Sequence, residues 1–208
     1  MAYSFLEIAR TPGVIAAQQA NGSAELYASP DIPREFTSFS EKEVDFISHR
    51  DSFYLASVSE TGWPYVQHRG GPAGFLRFID TRTLGFADYR GNRQYISLGN
   101  TSANNRVSLI LMDYPNRRRL KIYARMETRD LAGDPELAGK VLAPEYKAKP
   151  ERIVLLHLEA FDWNCPQHIT PRFSEAELQG ALGPVRARLE QLERENATLR
   201  LELADKGN

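Results

Sequence analysis

The sequence predicts a mainly β fold with peripheral helices, of the α+β kind, ending in a long helical segment. Three observations predict it. Short runs rich in β-branched and aromatic residues recur between residues 53 and 163. Gly, Pro, Asn or Asp bounds almost every run, as turn chemistry requires. From Ser174 onward the composition turns helical, with leucines spaced alternately by four and three. Five or six strands at such close spacing favour a barrel or a sandwich. The chain therefore divides into a β domain with an N-terminal extension, residues 1–173, and a helical or coiled-coil segment, residues 174–208.

Taken in order, residues 1–40 are mixed and rich in Ala, Ser and Pro. A short helix is expected near Gly13–Gln19, with the stretch wrapping the body. Ser40 followed by Glu43 is a capping box, so 41–50 reads as a helix of two or three turns. FYLASVSETGWPYVQHR (53–69) is two β-rich runs around a Thr-Gly turn, the pattern of a hairpin. Further strands are expected at GFLRFID (74–80), TLGFADY (83–89), RVSLILMD (106–113), RRLKIYARMET (118–128) and within ERIVLLHLEAFDW (151–163). A short helix is expected to begin near Asn92 and stop at Gly99. Another is expected around Pro135–Leu142, after a loop at Asp130–Asp134.

The bulk numbers exclude several classes. With 208 residues and 42% hydrophobic content the chain suits one compact domain plus an appendage. Its 26 basic and 27 acidic residues nearly cancel, so nothing asks for nucleic acid or an anionic membrane as partner. No apolar run approaches the ~18 residues of a membrane span. The acidic Glu7 and short apolar runs of the first residues argue against a signal peptide. One cysteine, Cys165, excludes an internal disulfide and fits a reducing, cytoplasmic setting. It sits beside Pro166 in a loop, with no cation placed to lower its pKa. Four scattered histidines give no metal-ligand spacing, so no metal is expected.

Along the C-terminal segment Val185, Leu189, Leu192, Asn196, Leu199 and Leu203 form a heptad seam with Asn196 at an a position. In a parallel pair Arg188 would face Glu193 of a second helix, and Glu195 would face Arg200; both contacts attract. Two readings stay open: a self-associating coil, or a helix packing its leucines on its own barrel. Gly183-Pro184 is read as the start of this helix, after a separate short helix over 174–182 opened by the capping box Ser174…Glu177.

One stretch points to chemistry. In GFADYRGNRQYISLGN (85–100) a strand runs into a Gly-containing turn and then a helix. Free backbone N–H groups and the positive end of the helix dipole attract phosphate there, and Arg93 adds a fork of donors. The plain alternative is an arginine solvated at a helix start.

These residues, with the order FADYRGNRQ, NNRVSLILMD and RRRLKIYARME, resemble the pyridoxamine 5′-phosphate oxidase-like proteins that bind FMN in a split β-barrel. HRGGPAGFLRF and DWNCPQHITPRF are similar to a branch described only as oxidase-related. The resemblance covers about residues 40–173. It implies FMN as cofactor and a symmetric homodimer with sites between subunits. It also implies roles: Arg77 and the cluster Asn92, Arg93, Gln94 at the FMN phosphate, with Gln94 replacing a usual lysine. Ala87 and Asp88 would lie against the flavin mainly through backbone, Arg119 would reach FMN from the neighbouring strand, and Trp163 and Arg172 would close the site. In a cofactor enzyme the flavin performs the redox step, so no acid–base pair is required and no catalytic residue is assigned.

The pattern also departs from the oxidase. Ile169 and Pro171 stand near where the oxidase holds its substrate through Arg and His, with His168 offset, so pyridoxamine phosphate is not the expected substrate. His68 and Arg69, in the HRGG run, become candidates for an anionic substrate, although a histidine at a strand end is as often a surface residue. Arg117 and Arg118 are expected to be solvated, and Trp63 to serve core or interface. Three functions follow: an FMN-dependent oxidoreductase acting on a small molecule, a non-catalytic flavin-binding or sensing module with a coiled-coil tail, or the same barrel holding a deazaflavin or heme.

Overall fold

A computed structural model of the chain describes residues 5–27, 38–163 and 166–206. Cys165, and residues 28–37 of the stretch expected to wrap the body, lie outside the described residues. The chain forms two compact units, one of residues 1–113 and 117–167 and one of residues 114–116 and 168–208.

The first unit contains α1 (Phe5–Ala9), α2 (Pro12–Ala20), α3 (Glu41–Ser48), β1 (Ser52–Val58), β2 (Pro64–Gly70), β3 (Arg77–Phe78), β4 (Thr83–Tyr89), α4 (Ile96–Ala103), β5 (Arg106–Asp113), β6 (Arg118–Arg129), α5 (Pro135–Val141) and β7 (Pro150–Trp163). The strands form one antiparallel sheet in the order β2-β1-β5-β6-β7-β4-β3. Its edges are β2 and β3, yet Arg69 on β2 donates from Nη1 to Asp88 Oδ1 on β4 at 2.6 Å. The sheet thus curls until its two ends meet through side chains rather than through a ladder, which makes it a split β-barrel.

Burial explains the curl. β1 and β5 alternate strictly between core and outside. Phe53 stacks on Phe75 at 5.7 Å and meets Phe86 edge-on at 5.5 Å, so aromatic rings bridge the barrel from β1 to β4. Each such ring withdrawn from water contributes about 1.5–3 kcal/mol. β4 is buried on both faces. Leu84 and Phe86 enter the barrel core, while Ala87 packs outward under Leu137, Ala138 and Val141 of α5.

Most expected elements are present, and three are corrected. The strand expected over 74–80 pairs only at Arg77–Phe78, because Gly74 turns left-handed (φ +74°) and Phe75 and Leu76 drop into the core. The helix expected from Asn92 to Gly99 instead spans Ile96–Ala103. Asn92 closes a side-chain turn onto Gln94 N at 3.1 Å, and Arg93 and Tyr95 adopt left-handed φ values of 60° and 52°, so the helix cannot run through them and starts only after Tyr95. The third correction belongs to the second unit, where the two expected helices are one, α6 (Glu175–Lys206), with Pro184 inside it. Its start carries the capping box, Ser174 N and Oγ both donating to Glu177 Oε2. Among the described residues no helix is long and apolar enough to cross a membrane.

The capping box at Ser40 has a second use. Glu43, almost wholly buried, accepts from Ser40 N at 3.0 Å and from the indole N–H of Trp163 at the end of β7. Arg118 is exposed, as expected, and also donates from Nη2 to the buried Asp113 at 2.8 Å and lies over the Phe46 ring.

Candidate functional site

Where β2 and β4 end and β7 begins, beside the turn into α4, there is a groove of about 160 Å³. Gln67 and Arg69, Asp88 and Tyr89, Glu151 and Arg152 line it from the three strands; Gly91, Asn92, Arg93 and Tyr95 come from the turn, and Leu98 from α4. Strand pairing sets this up. Asp88 and Arg152 are register partners on β4 and β7, and barrel closure brings Arg69 to the same carboxylate.

At the centre Asp88 accepts from Arg69 Nη1 on one oxygen and Arg152 Nη1 on the other, each at 2.6 Å. The side chains of Asp88, Arg69 and Arg152 are only 10%, 16% and 19% exposed, so water screens these pairs weakly. A second carboxylate, Glu151, accepts from Arg90 Nε at 2.8 Å and from the Tyr95 hydroxyl at 3.0 Å. The hydrogen bond from Arg90, with those from Tyr95 and the nearby arginine charges, holds Glu151 below the ordinary carboxylate range against the opposing effect of desolvation. The Arg152 guanidinium also lies over the Tyr95 ring, 5.0 Å from its centre. α4 is tied down by two side-chain bonds: Ser97 Oγ to Gln67 at 2.9 Å, and Asn100 Nδ2 to the buried Ser57 Oγ at 3.0 Å.

The lining carries three arginines against two carboxylates, a net charge of +1. Several donors of the lining have no partner among the described residues, the buried Tyr89 hydroxyl among them. Arg69 Nε is buried with no hydrogen-bond partner among the described residues. The Arg93 side chain, exposed at the groove, has no ion pair or hydrogen bond among the described residues. A left-handed backbone at Arg93, a region few non-glycine residues visit, fixes where that side chain leaves the turn.

The residues singled out from the sequence separate into groups. Asp88, Asn92 and Arg93 line the groove together with Arg69. Asp88 does so through its carboxylate, whereas the sequence reading gave it a backbone role. Gln94 lies in the same turn, its side chain accepting from Asn92 at 3.2 Å. Ala87 is sealed beneath α5, and Arg77 is exposed on β3 opposite Gly85. His68 and Arg69, read as a pair, alternate across β2: His68 is exposed and meets the Tyr54 ring at 5.6 Å, while Arg69 turns inward.

Trp163 and Arg119 lie elsewhere in this unit. Arg152 and Trp163 are at opposite ends of β7, on the order of 35 Å apart along the strand. Trp163 is held by Glu43, by Phe46 edge-on at 4.7 Å and by Lys42 Nζ 4.5 Å above its ring. Its ladder partner is Leu120, next to Arg119, whose Nε is also buried without a hydrogen-bond partner among the described residues. In the second unit Arg172 lies over Tyr114 at 5.1 Å, and His168 takes a left-handed φ of 62°.

Sequence reasoning missed Arg152, Glu151 and Tyr95. Their only signal was long-range, the register of β4 on β7, which places Arg152 opposite Asp88. Among the described residues no cluster of three or more His, Cys, Asp or Glu could hold a metal ion.

The first unit is thus a split β-barrel with an arginine-lined groove at a strand-to-helix turn. Residues 39–160 match the family model described as pyridoxamine 5′-phosphate oxidase, more than half of the chain, and the protein belongs to that family. No curated protein sequence matches it. Among solved structures it is similar to a candidate pyridoxamine 5′-phosphate oxidase from Lactobacillus delbrueckii, at 22% identity and a TM-score of 0.47, over 62% of this chain and 97% of that one. It is similar to HupZ of Group A Streptococcus at 14% identity and a TM-score of 0.46, over 65% and 99% of the two chains. An FMN-binding protein from Syntrophomonas wolfei aligns at 11% identity and a TM-score of 0.44, over 60% and 87%.

Proposed function

We propose that the chain is an FMN-dependent oxidoreductase acting on a small molecule other than pyridoxamine 5′-phosphate, as a homodimer with its sites between subunits. The observation that carries this reading is the pair of unsatisfied arginine donors, Arg69 Nε and the Arg93 guanidinium, in a groove of net positive charge. A buried donor without an acceptor costs about 1–3 kcal/mol, so an anionic or acceptor-rich ligand entering the groove recovers stability. A mononucleotide phosphate and the acceptor edge of a flavin ring both fit that demand, and family membership supports the choice of FMN.

When bound, FMN supplies the transfer of hydride or electrons. The residues of this chain do the positioning. Arg93 meets phosphate from a fixed turn. Asp88 holds Arg69 and Arg152 in place, so their charges are set before the ligand arrives. α4, tied to β1 and β2 through Asn100 and Ser97, keeps the turn from drifting. Against pyridoxamine phosphate stands the sequence, which has Ile169 and Pro171 near the positions where the resemblance would call for the oxidase's Arg and His.

The dimer reading draws on the outward face of β1 and β2, where Tyr54, Val58 and Val66 are exposed together with Trp63 at the hairpin tip. Apolar surface of that kind marks interfaces. The single cysteine fits a cytoplasmic setting.

The purified protein is expected to be yellow and to release FMN, not FAD, on denaturation. A colourless protein that takes up no added FMN overturns the proposal. Replacing Arg93→Ala is expected to weaken FMN binding by about 1.5–3 kcal/mol, roughly 10- to 150-fold in Kd. Unchanged affinity by flavin-fluorescence titration removes Arg93 from the site.

A further inference from the structure

We propose that α6 pairs with α6 of a second copy of this chain as a parallel two-stranded coiled coil running from Leu178 to Leu203. Because the helix is continuous across Gly183-Pro184, the seam gains a heptad beyond what Val185–Leu203 alone provides. Positions a are Leu182, Leu189, Asn196 and Leu203. Positions d are Leu178, Val185, Leu192 and Leu199. Every described side chain of α6 is exposed, Leu199 by 57% and Leu203 by 70%, so in a single chain the stripe is uncovered.

The placement of poor helix formers agrees with a paired seam. Gly180, Gly183 and Pro184 fall at f, b and c, all on the outward side. Proline at an outward position deprives the helix of one backbone hydrogen bond without disturbing a core layer. A Cβ added at Gly180 or Gly183 would meet nothing within 4 Å, so close packing does not explain these glycines. A helix this exposed, with two glycines and a proline inside, needs a partner for its apolar stripe to remain helical in water.

Charge identifies the partner as a second copy, and Asn196 sets the direction. In a parallel pair Arg188 at g meets the partner's Glu193 at e, and Glu195 meets the partner's Arg200. An antiparallel pair aligned on the same seam, with Leu189 opposite the partner's Leu192, also finds attractive charges, Arg188 with the partner's Glu195 and Arg186 with the partner's Glu193. The charges alone therefore suit either direction. The asparagine does not: antiparallel alignment buries Asn196 against the partner's Val185, where its amide has no hydrogen-bonding group. Parallel alignment stacks it on the partner's Asn196, where each amide can donate to the other.

The experiment uses the full chain with Cys165→Ser as background and asks which single cysteines cross-link under mild oxidation. Leu189→Cys lies in the seam and Arg194→Cys at the outward f position; both residues are exposed, so neither substitution threatens the fold, and circular dichroism confirms it. A parallel coil brings the two Leu189→Cys thiols within disulfide reach. It gives a cross-linked dimer at least about tenfold faster than Arg194→Cys at the same protein concentration. Equal rates, or no cross-link at either position, overturn the coil. Cross-linking of Leu189→Cys only when mixed with Leu192→Cys overturns the parallel direction and shows the antiparallel one. The readout requires no flavin, so it stands or falls separately from the proposed enzyme.

Discussion

Replacing Asp88→Asn tests the centre of the groove. Asp88 accepts two charge-assisted hydrogen bonds, from Arg69 and Arg152, both at 2.6 Å. Bonds of this kind contribute about 1.5–3 kcal/mol each. An asparagine of the same shape can accept from one arginine but presents its own NH₂ group to the other, and the two guanidinium charges lose their counter-ion. Breaking a fully buried pair from one side costs about 3–5 kcal/mol. With Arg69 and Arg152 16% and 19% exposed, some screening applies, and the expected loss is about 2–4 kcal/mol. For a chain of this size that lowers Tm by on the order of 10 °C, and urea unfolding should show a lower midpoint at unchanged slope. A double-mutant cycle with Arg152→Gln should give a coupling of at least about 1 kcal/mol. The substitution raises the charge of the groove lining from +1 to +2 but releases the two arginines that Asp88 holds, so FMN should bind no more tightly despite the added charge. A stability loss below about 0.5 kcal/mol with no coupling to Arg152 would refute the assignment of Asp88 as the residue that organises the groove.

Two further substitutions test its surroundings. Asn100→Leu strands the Ser57 hydroxyl, which is 2% exposed; a loss of about 1–3 kcal/mol is expected, partly recovered in the double variant with Ser57→Ala, as chemical denaturation will show. Arg90→Gln removes the strongest of the influences that hold Glu151 low, so carbon-detected NMR should find the Glu151 midpoint shifted up toward the ordinary carboxylate value. Because folding depresses this group, its stabilising contribution is present above the unfolded-state value of 4.5 and is lost as pH falls through the lower native midpoint. The variant should therefore show a flatter decline of stability in that acid window, and an unchanged pH profile would exclude the Arg90–Glu151 pair.

What could be read in advance follows from the range of the interactions involved. β4 and β5 were legible to the residue because strand signals are local: β-branched and aromatic side chains between turn formers. The Ser40…Glu43 box was legible as a cap for the same reason. Its second role, accepting from Trp163 across 120 positions of sequence, was not. β3 failed because Phe75 and Leu76 look like strand residues but serve the core from a turn opened by the left-handed Gly74. α4 failed because Asn92 can cap a helix or close a turn on its own backbone; here it closes the turn, and Tyr95 is held by Glu151 and Arg152, which are distant in sequence. Arg93 was found by its neighbourhood in sequence. Arg152, which does as much to build the groove, depends on a pairing 64 positions away.

The division of the candidate residues between two ends of the barrel leads to one last test. Arg93 lies by the groove, while Arg119 lies next to Leu120, the ladder partner of Trp163, at the far end of β7. Along the strand that separation is on the order of 35 Å, more than one mononucleotide spans. If both arginines serve one FMN, they must come from different chains, and in a two-fold dimer each site then takes Arg93 from one subunit and Arg119 from the other. Arg93→Ala and Arg119→Ala should each impair binding in every site of their own homodimers. Arg119 Nε has no hydrogen-bond partner among the described residues and Arg93 is exposed, so both variants should fold. Mixed, unfolded and refolded together, half of the dimers are hybrids, and each hybrid has one site with both arginines intact. Flavin titration of the mixture should therefore recover tight binding in about a quarter of the sites. Recovery of none, with both single variants impaired, would place the two residues in one subunit's site and contradict the strand geometry. Full binding by Arg119→Ala alone would remove Arg119 from the cofactor and leave the groove around Asp88 to hold FMN without it.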